Sequence, residues 1–406
     1  MKSASSFLLA SRQCEIAELE ALARTSELAS VIGRFIHALQ RERGICNIFL
    51  SSHGTRFAAE RQRQVDECEL LEREVRAQVD ALETDPSRVR HGSRLFSRVA
   101  VVLHTLDGLP SLRERVGRQA LSARDTTAAY VKLVAGLLAV VFEAADSATD
   151  PQVSRALVAM FNFMQGKELA GQERALGARV FAAGYIDAAG QQQWHHLVES
   201  QQACFQVFTD FADARVLRAD QASRDPAVQA AIERLRRLGR STRRELDPNL
   251  SHEWYDWCTR RIDAMRAVED VLACHLRELC EARIAQARSE LRDQRAMLSA
   301  LTGEATAAGA DAAAYGPKLE RSMLAMLQEQ SLRLQAMSDE LDAVRASLNQ
   351  RKVVERAKGI LMAHRQMTED DAYKALRQMA MNQNRRIVDV AEAVLSLADV
   401  LPGTRP

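Results

Sequence analysis

Residues 15–52 read EIAELEALARTSELASVIGRFIHALQRERGICNIFLSS, with Leu19, Leu22, Leu28, Val31, Ile32, Phe35, Ile36 and Leu39 recurring at helical spacing. That recurrence lines one face of a long amphipathic helix. Working outward, the same reading gives helices over roughly 56–82, 95–106, 125–145, 154–181, 188–215, 226–240 and 250–292. Gly108-Leu109-Pro110, Asp150-Pro151, Ala183-Gly184, Asp225-Pro226 and Asp247-Pro248 break the pattern between them. The run Leu133–Phe142 (LVAGLLAVVF) reads as a helix buried on most sides. Helices with short connections predict an all-α fold for residues 1–300, built as one or two antiparallel bundles.

Composition agrees. The 406 residues include only 8 prolines and 18 glycines, with 47% hydrophobic and 5% aromatic residues. Long stretches without turn residues exclude a Rossmann domain, a TIM barrel and a β-sandwich. Lys and Arg number 55 against 54 Asp and Glu, a net charge of +1, which excludes a wholesale polyanion binder and leaves room for a local basic patch. The N-terminal apolar run Phe7–Ala10 is shorter than the roughly 7–15 residues of a secretory signal. Leu133–Phe142 is shorter than the about 18–20 residues of a membrane span. Seven scattered cysteines without a CxxC read as reduced thiols, so a cytoplasmic protein with no membrane partner is expected.

Residues 302–317 (TGEATAAGADAAAYGP) change character and mark a linker, placed at 301–318. Beyond it Leu327, Leu334, Leu341 and Leu348 are spaced by seven, with Met323, Gln330, Met337 and Val344 between them. This heptad predicts a coiled-coil signalling helix over 319–350 and a homodimer, or else one amphipathic helix packed on the bundle. Residues 351–402 read as three short helices, the second opened by a Thr368/Asp371 capping box. Over 351–406 ten basic and seven acidic residues give a local +3.

The segment SLNQRKVVERAKGILM followed by TEDDAYKALRQMAMNQNRRIVDVAEAVL resembles the ANTAR domain over about Leu348–Leu401. The resemblance implies a three-helix RNA-binding module of transcription antiterminators, its domain placed at 348–402. It implies a leader RNA with paired stem-loops as partner, and no DNA. Lys358, Arg365, Arg377, Arg385 and Arg386 are the basic residues suited to phosphates, and Tyr373 offers a ring for stacking. Gly359 thins the helix surface where a backbone could approach.

Upstream, Leu39-Gln40-Arg41-Glu42-Arg43-Gly44, Tyr130-Val131-Lys132-Leu133-Val134, Lys167-Glu168-Leu169-Ala170-Gly171-Gln172-Glu173-Arg174-Ala175 and Trp257-Cys258-Thr259-Arg260-Arg261-Ile262-Asp263 occur in the order of the NIT domain. The resemblance covers most of 30–275 and implies an all-helical nitrate- and nitrite-sensing module over 1–300, built as two packed four-helix bundles and without a cofactor. Nitrate is planar and singly charged with three acceptor oxygens, and the fork of a guanidinium suits it better than an ammonium. Matching the motif, Arg43 and Arg261 are the expected principal pair, mutually repelling when the site is empty, with Arg174 and Arg41 as further candidates. Arg43 bridging Glu42 or Glu20, and Arg261 pairing with Asp263 or Glu253, are the plain alternatives. Arg260 could take the place of Arg261, because the basic segment RLRRLGRSTRRELD makes the second half hard to align. No HExxH, GxSxG, P-loop or GxGxxG is present, and adjacent His195-His196 diverge by about 100° on a helix, so neither an enzyme nor a metal site is expected. The combined expectation is a nitrate- or nitrite-responsive antitermination regulator, in which ligand binding releases the C-terminal module. The rivals are the same module gated by another small anion or a partner protein, and a non-catalytic helical scaffold.

Overall fold

The computed structural model describes residues 4–84, 92–240, 245–307, 317–365, 367, 369–383 and 385–400. Every regular element among them is a helix. They are α1 (Ala4–Ser51), α2 (Ala58–Asp80), α3 (Ser93–Asp107), α4 (Leu109–Gly117), α5 (Ala123–Ser147), α6 (Pro151–Ala183), α7 (Ala188–Phe211), α8 (Ala214–Ser223), α9 (Pro226–Gly239), α10 (Leu250–Ala307), α11 (Pro317–Arg365), α12 (Glu369–Gln383) and α13 (Ile387–Val400). The chain packs as two units, residues 1–334 and 335–406.

The breaks found in the sequence become caps. Asp150 accepts hydrogen bonds from the backbone N–H of Gln152 and Val153, both at 3.0 Å, while Pro151 takes the first helical position of α6. Asp225 and Pro226 open α9 in the same way. A carboxylate satisfies the orphan N–H groups there, and proline has none to lose. Gly184 closes α6 at φ 75°, a left-handed conformation costly for residues with a Cβ. The expected single helix over 188–215 is instead α7 and α8, parted at Ala212 where Asp213 caps the second. Gly108-Leu109-Pro110 ends α3 and also starts α4, a helix that periodicity alone does not reveal. Helix α10 continues to Ala307, beyond the expected linker start at 301, and Thr368 of the expected capping box lies outside the described residues.

In the first unit α1 packs against α2, α5 and α10, with α3 laid on α5. Helix α6 packs between α5, α7 and α10, and α8 and α9 cover α10. Two helix groups thus meet along α1, α6 and α10. Helix α5 is long and apolar enough to cross a bilayer by length and composition, which the ten-residue run alone does not suggest. In the structure 56% of its most apolar window is buried, Tyr130, Leu133, Val134, Leu137 and Val141 included. Around α6 a second cluster joins Phe181, Trp194, Leu235 and Trp254, with the two indoles crossing edge to face at 5.2 Å.

Within the first unit, the part of α11 up to Leu334 packs through polar groups. Arg333 pairs with Glu15 and Glu290, and Gln330 donates to Ser11 Oγ at 2.7 Å, so the glutamine expected in a coiled-coil seam has a partner on α1. Leu324, Leu327 and Leu334 stay exposed. The second unit closes around Ala357, Leu361, Ala372, Leu376, Ala380, Val390 and Ala391.

Close approach of α6 and α10 depends on Gly177, where a Cβ would land inside the Trp254 indole. That ring is fully buried and fixed by its N–H on the Arg174 carbonyl at 2.9 Å. Gly177→Ala is expected to cost about 1–3 kcal/mol by overpacking, read as a lower urea midpoint with an unchanged slope.

Candidate functional site

The motif residues of α1 and α6 build a chain of buried ion pairs. Glu42, fully buried, accepts from Arg113 Nε and Nη2 at 2.8 and 3.0 Å and from the Tyr130 hydroxyl at 2.7 Å. Arg43 grips Glu168 with both arms of its guanidinium, Nη1 to Oε1 at 2.6 Å and Nη2 to Oε2 at 3.2 Å, while Gln40 and Gln172 also donate to that carboxylate. Glu173 is held by Arg236 at 2.7 and 2.6 Å, by Trp194 Nε1 and by Gln201. Burial alone would raise the Glu173 pKa, but these donors and the Arg236 charge lower it below the ordinary carboxylate value. Lys167 donates to Glu269 at 2.7 Å and contacts His37 Nδ1 at 3.0 Å.

These pairings give the expected clamp residues neighbours that the sequence did not name. Arg43 bridges neither Glu42 nor Glu20, and it does not stand as a bare cation opposed to Arg261. Two charges removed from water need each other, and Glu168 supplies the partner that the empty site would otherwise lack. Arg261 sits elsewhere. It is half-buried over the Phe205 ring at 6.0 Å, and burial together with the neighbouring Arg236 lowers its pKa. Asp263 and Glu253 are not its partners, since Glu253 bonds Arg234 and Trp257. Arg260 is exposed and stacked on Trp257 at 4.8 Å.

Arg174 is placed differently. Its Nη1 donates to Thr259 Oγ1 at 2.9 Å and its guanidinium covers the Tyr255 ring at 4.8 Å, yet among the described residues it forms no ion pair. It lines a cleft of about 230 Å³ between α1, α6 and α10, together with His37, Gln40, Arg41, Ile45, Tyr255, Thr259, Ile262 and Asp263. A neighbouring hollow of about 340 Å³ shares His37, Arg41 and Asp263 and adds Arg266. Arg41 is half-exposed there, 3.6 Å from Glu67. Neither Arg43 nor Arg261 lines the cleft. Positions 259 and 261 differ by about 200° around α10, which turns Arg261 away from Thr259. Gly44 keeps the floor open, since a Cβ there would sit 3.1 Å from Tyr255 Oη and 3.4 Å from Arg174 Nη2.

The cleft is electropositive. Burial and then the charges of Lys167, Arg266, Arg41 and Arg174 push the His37 pKa down to about 2. Gln40 Oε1 is buried without a hydrogen-bond partner, a polar atom left over at the cleft wall. Sequence reasoning reached Arg174 and Arg41 but missed His37, Gln40, Tyr255 and Thr259. The last two stand one helical turn apart on α10, and that spacing was the available signal.

In the second unit Lys358 is only 7% exposed, its ammonium 5.9 Å from the centre of the half-buried Tyr373 ring. It therefore packs on the aromatic ring. Arg385 and Arg386 are exposed, and Arg386 forks Asp389 at 2.9 and 3.3 Å. Arg377 is half-buried, and the Arg365 side chain lies outside those described. A Cβ on Gly359 would meet nothing within 4 Å, so the helix surface there is open.

A helical bundle whose internal charges are paired, opening onto a cationic cleft, has the build of a small-anion sensor, and the same chain carries a compact three-helix unit. Residues 34–277 match the family of nitrate and nitrite sensing (NIT) domains, and 342–395 match the ANTAR domain. The nitrate regulatory protein of Klebsiella oxytoca is 33% identical over 391 residues, 95% of this chain and 93% of that protein. The structure of the NasR transcription antiterminator, 30% identical, superposes with a TM-score of 0.60, covering 96% of this chain and 98% of that one. The transcriptional regulatory protein PdtaR of Mycobacterium tuberculosis is 42% identical over 60 residues, 15% of this chain and 29% of that protein. The chain belongs to the family of nitrate regulatory proteins that join a NIT domain to an ANTAR domain.

Two outcomes follow from the buried charges. Glu168→Gln strips Arg43 of its counter-charge and is expected to cost about 3–5 kcal/mol in urea unfolding. His37 binds a proton in the unfolded chain below about pH 6.5 and refuses it in the native one, so native stability falls as pH drops through that value. Between pH 6.5 and 5 the wild type is expected to lose up to about 1.4 kcal/mol per pH unit more than His37→Gln, measured by thermal melts across that range.

Proposed function

We propose that this chain is a nitrate- or nitrite-gated transcription antitermination regulator, whose sensor takes the anion in the α1/α6/α10 cleft. The observation that carries the reading is Arg174, a guanidinium 7% exposed, facing the cleft without an ion-pair partner among the described residues. A buried cation in that condition favours an anion. Arg174 offers the fork, Arg41 adds charge at the rim, and Arg43 stands behind Gln40 on Glu168. Arg261 belongs to the Glu173–Arg236 cluster in this reading and supports the fold.

Binding draws three helices toward one ion and so favours one packing of the sensor over another. A ligand moves such an equilibrium only by its differential affinity, about 5.5 kcal/mol for a swing from 1:99 to 99:1. The favoured packing releases the C-terminal module to bind leader RNA with paired stem-loops and prevent a terminator hairpin, in the cytoplasm. Arg385 and Arg386 meet phosphates, and the Lys358–Tyr373 pair presents a ring braced by a cation for base stacking. The exposed Leu327 and Leu334 on the heptad support a homodimer through α11.

The test is RNA affinity of the full chain for a tandem stem-loop leader, titrated with nitrate and nitrite at fixed salt, with chloride and sulfate as controls. The expected result is a rise with nitrate or nitrite, shifted to at least about tenfold higher anion by Arg174→Lys, which keeps the charge and loses the fork. RNA binding indifferent to both anions would overturn the gating, and an unaltered response in Arg174→Lys would overturn the site.

A further inference from the structure

His37 is a residue of the cleft that lies outside the motif strings read in the sequence. It lines both the 230 Å³ cleft and its 340 Å³ neighbour, and its Nδ1 lies 3.0 Å from Lys167 Nζ. Burial of Lys167 lowers its pKa, but it donates to Glu269 at 2.7 Å and the charge of that carboxylate favours the ammonium, so Lys167 meets the ring as a donor. The ring nitrogen that meets it must therefore accept. A neutral imidazole accepting at Nδ1 carries its hydrogen on Nε2. Among the described residues Nε2 has no partner.

The groups around the ring fix its charge as well. Arg41 approaches from α1, Lys167 and Arg174 from α6, and Asp263, Arg266 and Glu269 from α10. Four of these are cations, and Glu269 is held by Lys167 and lies 3.6 Å from Arg266. A second positive charge on the ring would stand directly against the Lys167 ammonium.

We infer that His37 presents its Nε2–H to the bound oxyanion as a neutral donor beside Arg174, with the tautomer set by the buried Lys167–Glu269 pair. This rests on the cleft assignment proposed above. It gives the site a directional hydrogen bond without further charge, which suits a singly charged planar ion. Thr259 completes the set, because its oxygen accepts from Arg174 and its own hydrogen is left to point at the ligand. The Lys167-Glu168 step of the motif then serves the site twice. Lys167 orients the histidine, and Glu168 neutralises Arg43 one layer behind.

Nitrate affinity of the full chain, measured by calorimetry, separates the possibilities. A glutamine amide reaches the position of the histidine Nε2, and an asparagine amide reaches only that of Nδ1. His37→Gln is expected to bind nitrate within about threefold of wild type, while His37→Asn and His37→Leu lose about tenfold to a hundredfold, the worth of a hydrogen bond to a charged group. In parallel, chains carrying ¹⁵N only in histidine should show His37 as the Nε2–H tautomer, unmoved between pH 8 and 6, with its signal shifted by nitrate. An Nδ1–H tautomer, or His37→Leu binding nitrate as wild type does while Arg174→Lys binds weakly, would overturn the inference and leave the cleft assignment standing. Unaltered nitrate binding by Arg174→Lys would instead bring down the cleft assignment itself.

Discussion

Helix α6 carries Lys167, Glu168, Glu173 and Arg174 through a part of the bundle where none is more than 7% exposed. Such charges hold only if each meets its opposite, and the partners come from different helices. Glu269 on α10 answers Lys167, Arg43 on α1 answers Glu168, and Arg236 on α9 answers Glu173. These pairs pin α1, α9 and α10 around α6 in one register, because a slip of any helix would strand a charge away from water. The fourth residue, Arg174, forms no ion pair among the described residues. It adds to the positive field that Lys167, Arg266 and Arg41 set up in the cleft, and the aromatic ring of Tyr255 and the hydroxyl of Thr259 hold it in place.

Much of this was legible in the chain itself. The spacing of Leu19 to Leu39 gives α1, the Asp-Pro pairs mark the starts of α6 and α9, and the motif strings locate the ERG and KE-x-A-G-x-E-R segments on α1 and α6. The assignment of partners was not legible. A sequence says that Arg43 is charged and sits in an apolar helix, but the carboxylate that answers it lies 125 positions away and is chosen by tertiary packing. Nearby Glu42 and Glu20 seemed equally placed, yet they turn to Arg113 and Arg288. His37 escaped notice for a similar reason. A lone histidine on a helix carries no pattern, and its role appears only when Lys167 is seen against its ring.

The same lesson holds in the second unit. Lys358, which the sequence marks as suited to phosphates, packs over Tyr373, a neighbour 15 positions on that tertiary packing selects, while Arg385 and Arg386 remain at the surface. Gly359 keeps an open stretch of α11 where a bulky backbone can come near. The apolar heptad of α11 divides. Leu341, Val344 and Leu348 are buried, and Leu327 and Leu334 are exposed.

The central claim is that the three ion pairs belong to the scaffold and the unpaired Arg174 to the ligand. A crystal structure of the full chain grown with nitrate tests this most directly. The account predicts a planar ion in the cleft between α1, α6 and α10, in hydrogen-bond reach of Arg174, with Glu168 still on Arg43. Nitrate bound on Arg261 beside Phe205, with the Arg174 cleft holding only water, would contradict it.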